Sequence, residues 1–284
     1  MKAALILAAL AGCGGGGGGG ADADVSDARV AAFDGACPLE DRVGLFQVLH
    51  QPTVSVVTGS VRDGVIPAEV LQLEHEEGGC RYLRKVFPFC DPPCQPAQTC
   101  DTDGSCITAP TQQDVGTVTV TGLVDAVAME PNQFNDYEQA DLSSPPFTAG
   151  AAILLSAEGG DGGAFQLDGL GVPALVVPDT EWTMQRDTPM TIEWDAAAGV
   201  QRIYVSLNVD LHGNSPVTMY CDFEDTGTAT IPADMVNRLI DFGITVGFAS
   251  ATIARGTLDR ASTGDGCVEL QTLSEVDPSF ALAP

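Results

Sequence analysis

The chain has 284 residues, of which 39 are acidic and 12 basic, giving a formal net charge of −27 beside an ordinary hydrophobic share of 44%. Such a surface repels phosphate backbones and anionic lipid heads, which excludes nucleic acid as a partner and docking by a basic face, while it attracts divalent cations weakly. The length leaves room for one large or two modest domains.

At the N-terminus, Met1-Lys2 supplies a positive charge and Ala3 to Ala11 an apolar run of signal-peptide length. A membrane span needs about 20 apolar residues, so this run is too short to remain as one. It ends in Leu10-Ala11-Gly12-Cys13, which resembles the bacterial lipobox at all four positions: a branched apolar residue, two small residues, then the cysteine that receives lipid. Small residues there let the thiol reach a lipid head group and let a peptidase pass the chain. The resemblance implies a signal peptide over residues 1–12, cleavage before Cys13, and diacylglycerol and palmitate on Cys13. In lipoprotein sorting, Asp at the next position is the usual inner-membrane retention signal, and residue 14 is Gly. The expected address is therefore the outer membrane, on its periplasmic or cell-surface face. Residues 13–32, opening with Gly14 to Gly20, read as a flexible tether, because glycine loses the most entropy on ordering. About 20 such residues reach roughly 25 Å.

A small β domain is expected over residues 33–110, with strands through Leu45 to Val48, Thr53 to Val61 and Val70 to Phe89. Nine cysteines occur, and assigning Cys13 to lipid leaves an even set, which in an exported chain reads as disulfides. Cys37 and Cys80 are expected to pair across the small sheet. Cys90, Cys94, Cys100 and Cys106 run as C-x3-C-x5-C-x5-C and look like the cysteine knuckle of EGF-like modules, with interleaved pairing of Cys90 to Cys100 and Cys94 to Cys106. A four-thiolate zinc site uses the same residue types, but an oxidising compartment opposes it.

Residues 111–284 are expected to form an Ig-like or fibronectin-like β-sandwich, so the fold class is all-β with very little helix. Val118 and Val120 alternate with threonines; Met190, Ile192 and Trp194 share a face. Arg202 to Asp210 alternates throughout, placing Ile203, Val205, Leu207 and Val209 together. Val217 to Phe223 puts Cys221 on the buried face, where a disulfide to Cys267 is expected. Ile244, Val246 and Phe248 begin a further strand whose phase slips by Ile253, which predicts a bulge near Ser250. Asp136 to Pro146 reads as an exposed loop, and Pro232 to Ile240 as a short helix.

The lipobox with its glycine tract, the knuckle from Cys94 through Cys100 to Cys106, and Cys221-Asp222-Phe223-Glu224-Asp225-Thr226-Gly227 followed by Ile231-Pro232 together resemble the predicted lipoproteins of myxobacteria and their relatives. The resemblance covers most of the chain and implies an address and a fold class, with no activity to transfer.

Chemistry-bearing motifs are sparse. Asp225-Thr226-Gly227-Thr228 is similar to the catalytic loop of aspartic proteases, whose single-copy members share a proton between two such aspartates. Glu224 departs from that pattern, which has apolar residues before the aspartate; the other reading is a turn leaving a strand. Asp101-Thr102-Asp103-Gly104 resembles the opening of a calcium loop, without the closing acid or flanking helices of an EF-hand. Glu158 to Gly163 is a flexible acidic loop around Asp161. His50, His75 and His212 lack the spacing of a zinc hydrolase, and no nucleophile elbow, phosphate loop or dinucleotide fingerprint appears. Trp182 and Trp194 read as core or edge aromatics, Trp182 also as a stacking platform for a sugar if exposed. These features point to a lipid-anchored envelope protein with a non-catalytic binding, adhesion or structural role toward a protein or glycan ligand, and no cofactor. The alternative is a hydrolase using Asp225.

Overall fold

Alternating apolar and polar residues dominate the folded part of the chain, and alternation over four to nine residues makes half-buried strands. The computed structural model describes residues 35–210, 216–243 and 248–283. The signal peptide, Cys13 and the tether lie outside the described residues, as do His212 and the segment 244–247.

In chain order the first strands are β1 (Arg42–His50), β2 (Ser55–Val61), β3 (Leu71–Glu77), β4 (Cys80–Lys85), β5 (Gln98–Cys100), β6 (Cys106–Thr108), β7 (Val118–Thr121), β8 (Val127–Met129), β9 (Tyr137–Gln139), β10 (Ala152–Ala157) and β11 (Phe165–Leu170). They are followed by β12 (Glu181–Met184), β13 (Met190–Glu193), β14 (Arg202–Asp210), β15 (Val217–Glu224) and β16 (Thr228–Ile231). After α1 (Ala233–Phe242) come β17 (Phe248–Ser262), β18 (Cys267–Val276) and β19 (Ser279–Leu282). The helix falls where the sequence places it, opened by Pro232 and closed by Gly243 in the left-handed conformation that glycine adopts freely.

A single nine-stranded sheet, ordered β3-β4-β15-β14-β17-β18-β1-β2-β9, carries the architecture. β1 pairs with β18 in parallel, and the other pairings in this sheet are antiparallel. One face is roofed twice. Over β1, β2 and β18, a four-stranded sheet (β11-β10-β7-β8) encloses Phe46, Val48, Val57, Ile153, Leu155 and Leu270. Over β4, β14, β15 and β17, the ribbons β12-β19 and β13-β16 together with α1 enclose Ile203, Val205, Met219, Met184, Ile192 and Leu239. The chain is thus an all-β sandwich with very little helix.

Between the two cores runs a buried polar belt on β17 and β18. Arg255, Thr257, Thr272 and Ser274 are each 3% exposed or less. The belt ties the strand-free segment after β11 to the sheet: Ser274 Oγ accepts from Leu175 N at 2.9 Å, Thr257 bonds Leu170 N and O at 3.3 Å, and Arg255 donates to Ala174 O at 2.9 Å. Hydrogen-bonding backbone to buried side chains removes the desolvation penalty a bare connection would carry.

Several expectations need correction. The boundary near Pro110 is crossed by the sheet itself, since β1 joins β18 and β4 joins β15. The disulfides cross it too: Cys37 pairs with Cys267 and Cys80 with Cys221, instead of Cys37 with Cys80 and Cys221 with Cys267. Cys80 stands directly opposite Cys221 in the β4–β15 register, so neighbouring strands dictate that bond. Cys37 lies just before β1, whose parallel partner β18 begins at Cys267. The predicted loop from Asp136 contains β9, which pairs with β2 and buries Tyr137 to 1% exposure. No bulge occurs near Ser250, where β17 pairs with β14 in unbroken register.

Candidate binding groove on the open sheet face

The opposite face of the nine-stranded sheet has no second layer among the described residues. Its outward side chains line a groove of about 680 Å³, within the usual range of ligand sites. Tyr204 on β14 and Tyr220 on β15, diagonal neighbours because Tyr204 pairs with Asp222 and Tyr220 with Ser206, form its aromatic floor, their rings stacked 6.3 Å apart at 17°. Burial pushes both phenols well above the ordinary tyrosine range, with the negative field of Asp222 and Glu269 acting in the same direction, so both stay protonated donors. Across the middle, Gln47 Nε2 donates to Gln271 Oε1 at 2.8 Å between the parallel strands β1 and β18. Leu71, Leu73 and Leu83 from β3 and β4 and Leu258 and Leu273 from β17 and β18 add apolar lining.

Charge is balanced in the groove, in contrast with the strongly acidic whole: Arg42, Arg81 and Arg260 face Glu40, Glu269 and Glu275. Glu269 is 1% exposed and takes Cys37 N onto Oε1 at 2.7 Å. Its Oε2 makes no hydrogen bond and lies 3.5 Å from the Arg42 guanidinium. Glu275, half-buried, is raised above the usual carboxylate range by that burial, partly offset by the hydrogen bond from Gln51. Arg260 donates to Ala36 O, so Arg260, Glu269 and the Cys37–Cys267 bond together hold the chain entry, residues 36–40, against one end of the groove.

The motifs singled out in the sequence lie elsewhere. Asp225 is buried in the polar belt, its side chain 4% exposed. Its Oδ1 accepts from Trp194 Nε1 at 2.7 Å and Arg255 Nη2 at 3.2 Å, its Oδ2 from Arg255 Nε at 2.7 Å and Gln201 Nε2 at 3.0 Å. Burial alone would raise this carboxyl, but the hydrogen bonds from Arg255, Gln201 and Trp194 outweigh it and hold it below the usual range. A carboxylate whose lone pairs are all taken by fixed donors cannot share a proton with a second aspartate or activate water, so the protease reading of Asp225 is overturned.

The knuckle forms as expected, with Cys90 bonded to Cys100 and Cys94 to Cys106, which leaves no thiolates for zinc there. Asp101 and Asp103 spend their carboxylates on their own turn, accepting from Thr102 N at 2.6 Å and Ser105 N at 2.8 Å. Asp161 sits exposed in a glycine turn, its backbone N donating to Asp114 O at 2.7 Å. His50 lies 3.3 Å from Ser55 Oγ and 3.4 Å from Ser144 Oγ, far in the chain from His75, which faces α1. Trp182 is buried to 6% exposure and donates to Asp179 O, which removes it as a sugar platform; Trp194 is buried at 4%. Sequence reasoning missed the groove. The signal was present in the outward phase of β14 and β15, where Tyr204, Ser206, Thr218 and Tyr220 alternate with the core residues.

No family model and no curated protein matches the chain. Among solved structures it is similar to the chicken CNTN1 FN1–FN3 domains, at 7% identity and a TM-score of 0.21, over 80% of this chain and 78% of that one. A likeness at that level says nothing of function, and the β-sandwich assignment stands on this chain's own sheets.

Proposed function

We propose that the protein is an exported, lipid-anchored binding protein that holds a neutral glycan segment in the open-face groove. The observation that carries the reading is the groove's chemistry: tyrosine phenols, paired amides and compensated charges, in a molecule whose net charge is −27. Sugars are recognised by planar amides, carboxylates and aromatic rings, and a charge-balanced site in an acidic protein favours a ligand without charge. The four disulfides belong to a chain that folds in an oxidising compartment. Among the described residues no helix is long and apolar enough to cross a membrane, so attachment in this reading comes from lipid on Cys13.

Calorimetric titration of the exported chain with a panel of neutral oligosaccharides tests the binding. Saturable heat is expected with at least one sugar, and Gln271→Ala weakens it by about tenfold, the loss of a half-buried hydrogen-bonding group. No saturable heat, equal affinity in Gln271→Ala, or saturation by peptides alone would overturn the glycan assignment. Detergent phase partitioning tests the anchor: Cys13→Ser is expected to move from the detergent to the aqueous phase while keeping its groove affinity, and a variant that still partitions into detergent would contradict the lipid site.

A further inference from the structure

Away from the groove, the β3–β4 hairpin meets the N-terminal turn of α1. Leu73 pairs with Leu83, but the next pairing joins His75 to Tyr82, so Glu74 is the extra residue of a β-bulge. Unbroken alternation would leave His75 on the groove face with Leu73. The bulge turns it to the α1 face and brings Glu77, opposite Cys80, to the same side. The hairpin tip is pressed against the helix entry by Gly78 at φ +59°, where an added Cβ would lie 2.6 Å from Pro232 Cγ. Only glycine permits this approach, which sets the distance from the hairpin to Asp234 in the first turn of α1.

The three side chains converge. His75 Nε2 lies 3.3 Å from Asp234 Oδ2 and 3.7 Å from Glu77 Oε2. It is closed to solvent and makes no hydrogen bond, so neither carboxylate sits where the ring N–H would donate to it. Ligand atoms around a tetrahedral zinc ion at 2.0–2.1 Å stand about 3.4 Å from one another, and these separations are of that size. One imidazole with two carboxylates suits zinc better than calcium or magnesium, which take oxygen ligands throughout.

We propose that His75, Glu77 and Asp234 form a Zn²⁺ site whose fourth position is open to water. Glu77 and Asp234 are 49% and 54% exposed, so the ion enters directly from solvent. Three protein ligands and an open position distinguish such a site from closed structural zinc centres. Arg238 donates to Asp234 Oδ2 at 2.8 Å and is the competitor the ion must displace from that oxygen.

The test uses the metal alone. Titration of the metal-free exported chain with Co²⁺ is expected to give the visible absorption of a tetrahedral N/O complex at one equivalent, displaced by Zn²⁺ and erased by EDTA. His75→Ala and Glu77→Gln are each expected to weaken Zn²⁺ binding at least about tenfold, the scale set by ligand and ligand-support losses, while Asp103→Ala leaves it unchanged. Equal affinity in His75→Ala would show only diffuse cation binding to the acidic surface. No stoichiometric Co²⁺ or Zn²⁺ binding would reduce the cluster to a side-chain contact of His75 with Glu77 and Asp234 that holds no metal. Either result overturns the site.

Discussion

Asp225 receives hydrogen bonds from side chains that arrive from three separate parts of the chain, Trp194, Gln201 and Arg255. Breaking a buried ion pair leaves an uncompensated charge and costs on the order of 3–5 kcal/mol, so Asp225→Asn is expected to lower unfolding free energy by that amount near neutral pH. The folded-state carboxyl is depressed, so its stabilisation is present above the unfolded pKa of about 4 and disappears as pH falls through the lower folded value. Urea unfolding of both forms at pH 7 and pH 3 checks the sign: the gap between them should narrow in acid. A gap that stays constant or widens would contradict the charge assignment. Sequence alone could locate this aspartate in a turn but not its partners, because Arg255 and Gln201 lie 30 and 24 residues away.

Elements with sustained alternation were legible before the fold. The runs of β7, β13, β14 and β15 and the helix α1 each carry enough apolar positions to count a period; the predicted faces of β7, β13, β15 and α1 turn inward, as do Ile203, Val205 and Leu207 of β14. The three-residue strands β8 and β9 offer no period to count. Strand partners were not legible at all. The likeness to an EGF-type knuckle suggested the two short-range bonds, with separations of 10 and 12 residues, whereas Cys37–Cys267 and Cys80–Cys221 span 230 and 141 residues and follow from sheet order. Closing loops of that length contributes about 5 kcal/mol each in the chain-entropy model. The double variant Cys37→Ala/Cys267→Ala is therefore expected to lose a large part of that figure in chemical denaturation. It also frees residues 36–40 from the groove end, raising protease sensitivity there. Unchanged stability and protection would show that the parallel β1–β18 pairing holds this end without the bond.

At the scale of the molecule, one sheet is roofed on one face by two cores and open on the other. Most outward residues of an antiparallel sheet are simply solvated, and that is why the open face gives no distinct sign of a site in the sequence: its tyrosines, glutamines and hydroxyl residues are what a wet face would also carry. The structure distinguishes them by closure, since Tyr204 is 7% exposed and Glu269 1% although nothing in the described chain covers them as a layer. Groove and zinc cluster lie on opposite faces of the β3–β4 hairpin, separated by the bulge at Glu74. The measurement that bears most directly on the proposed binding role is a ¹⁵N-resolved chemical-shift titration of the exported chain with the tightest oligosaccharide from the panel. The shifts are expected to concentrate on Gln47, Tyr204, Tyr220, Gln271 and the Gln271 side-chain amide, saturating with a single constant. Shifts confined to the roofed face or to the knuckle, or none at saturating sugar, would contradict the groove as the ligand's seat.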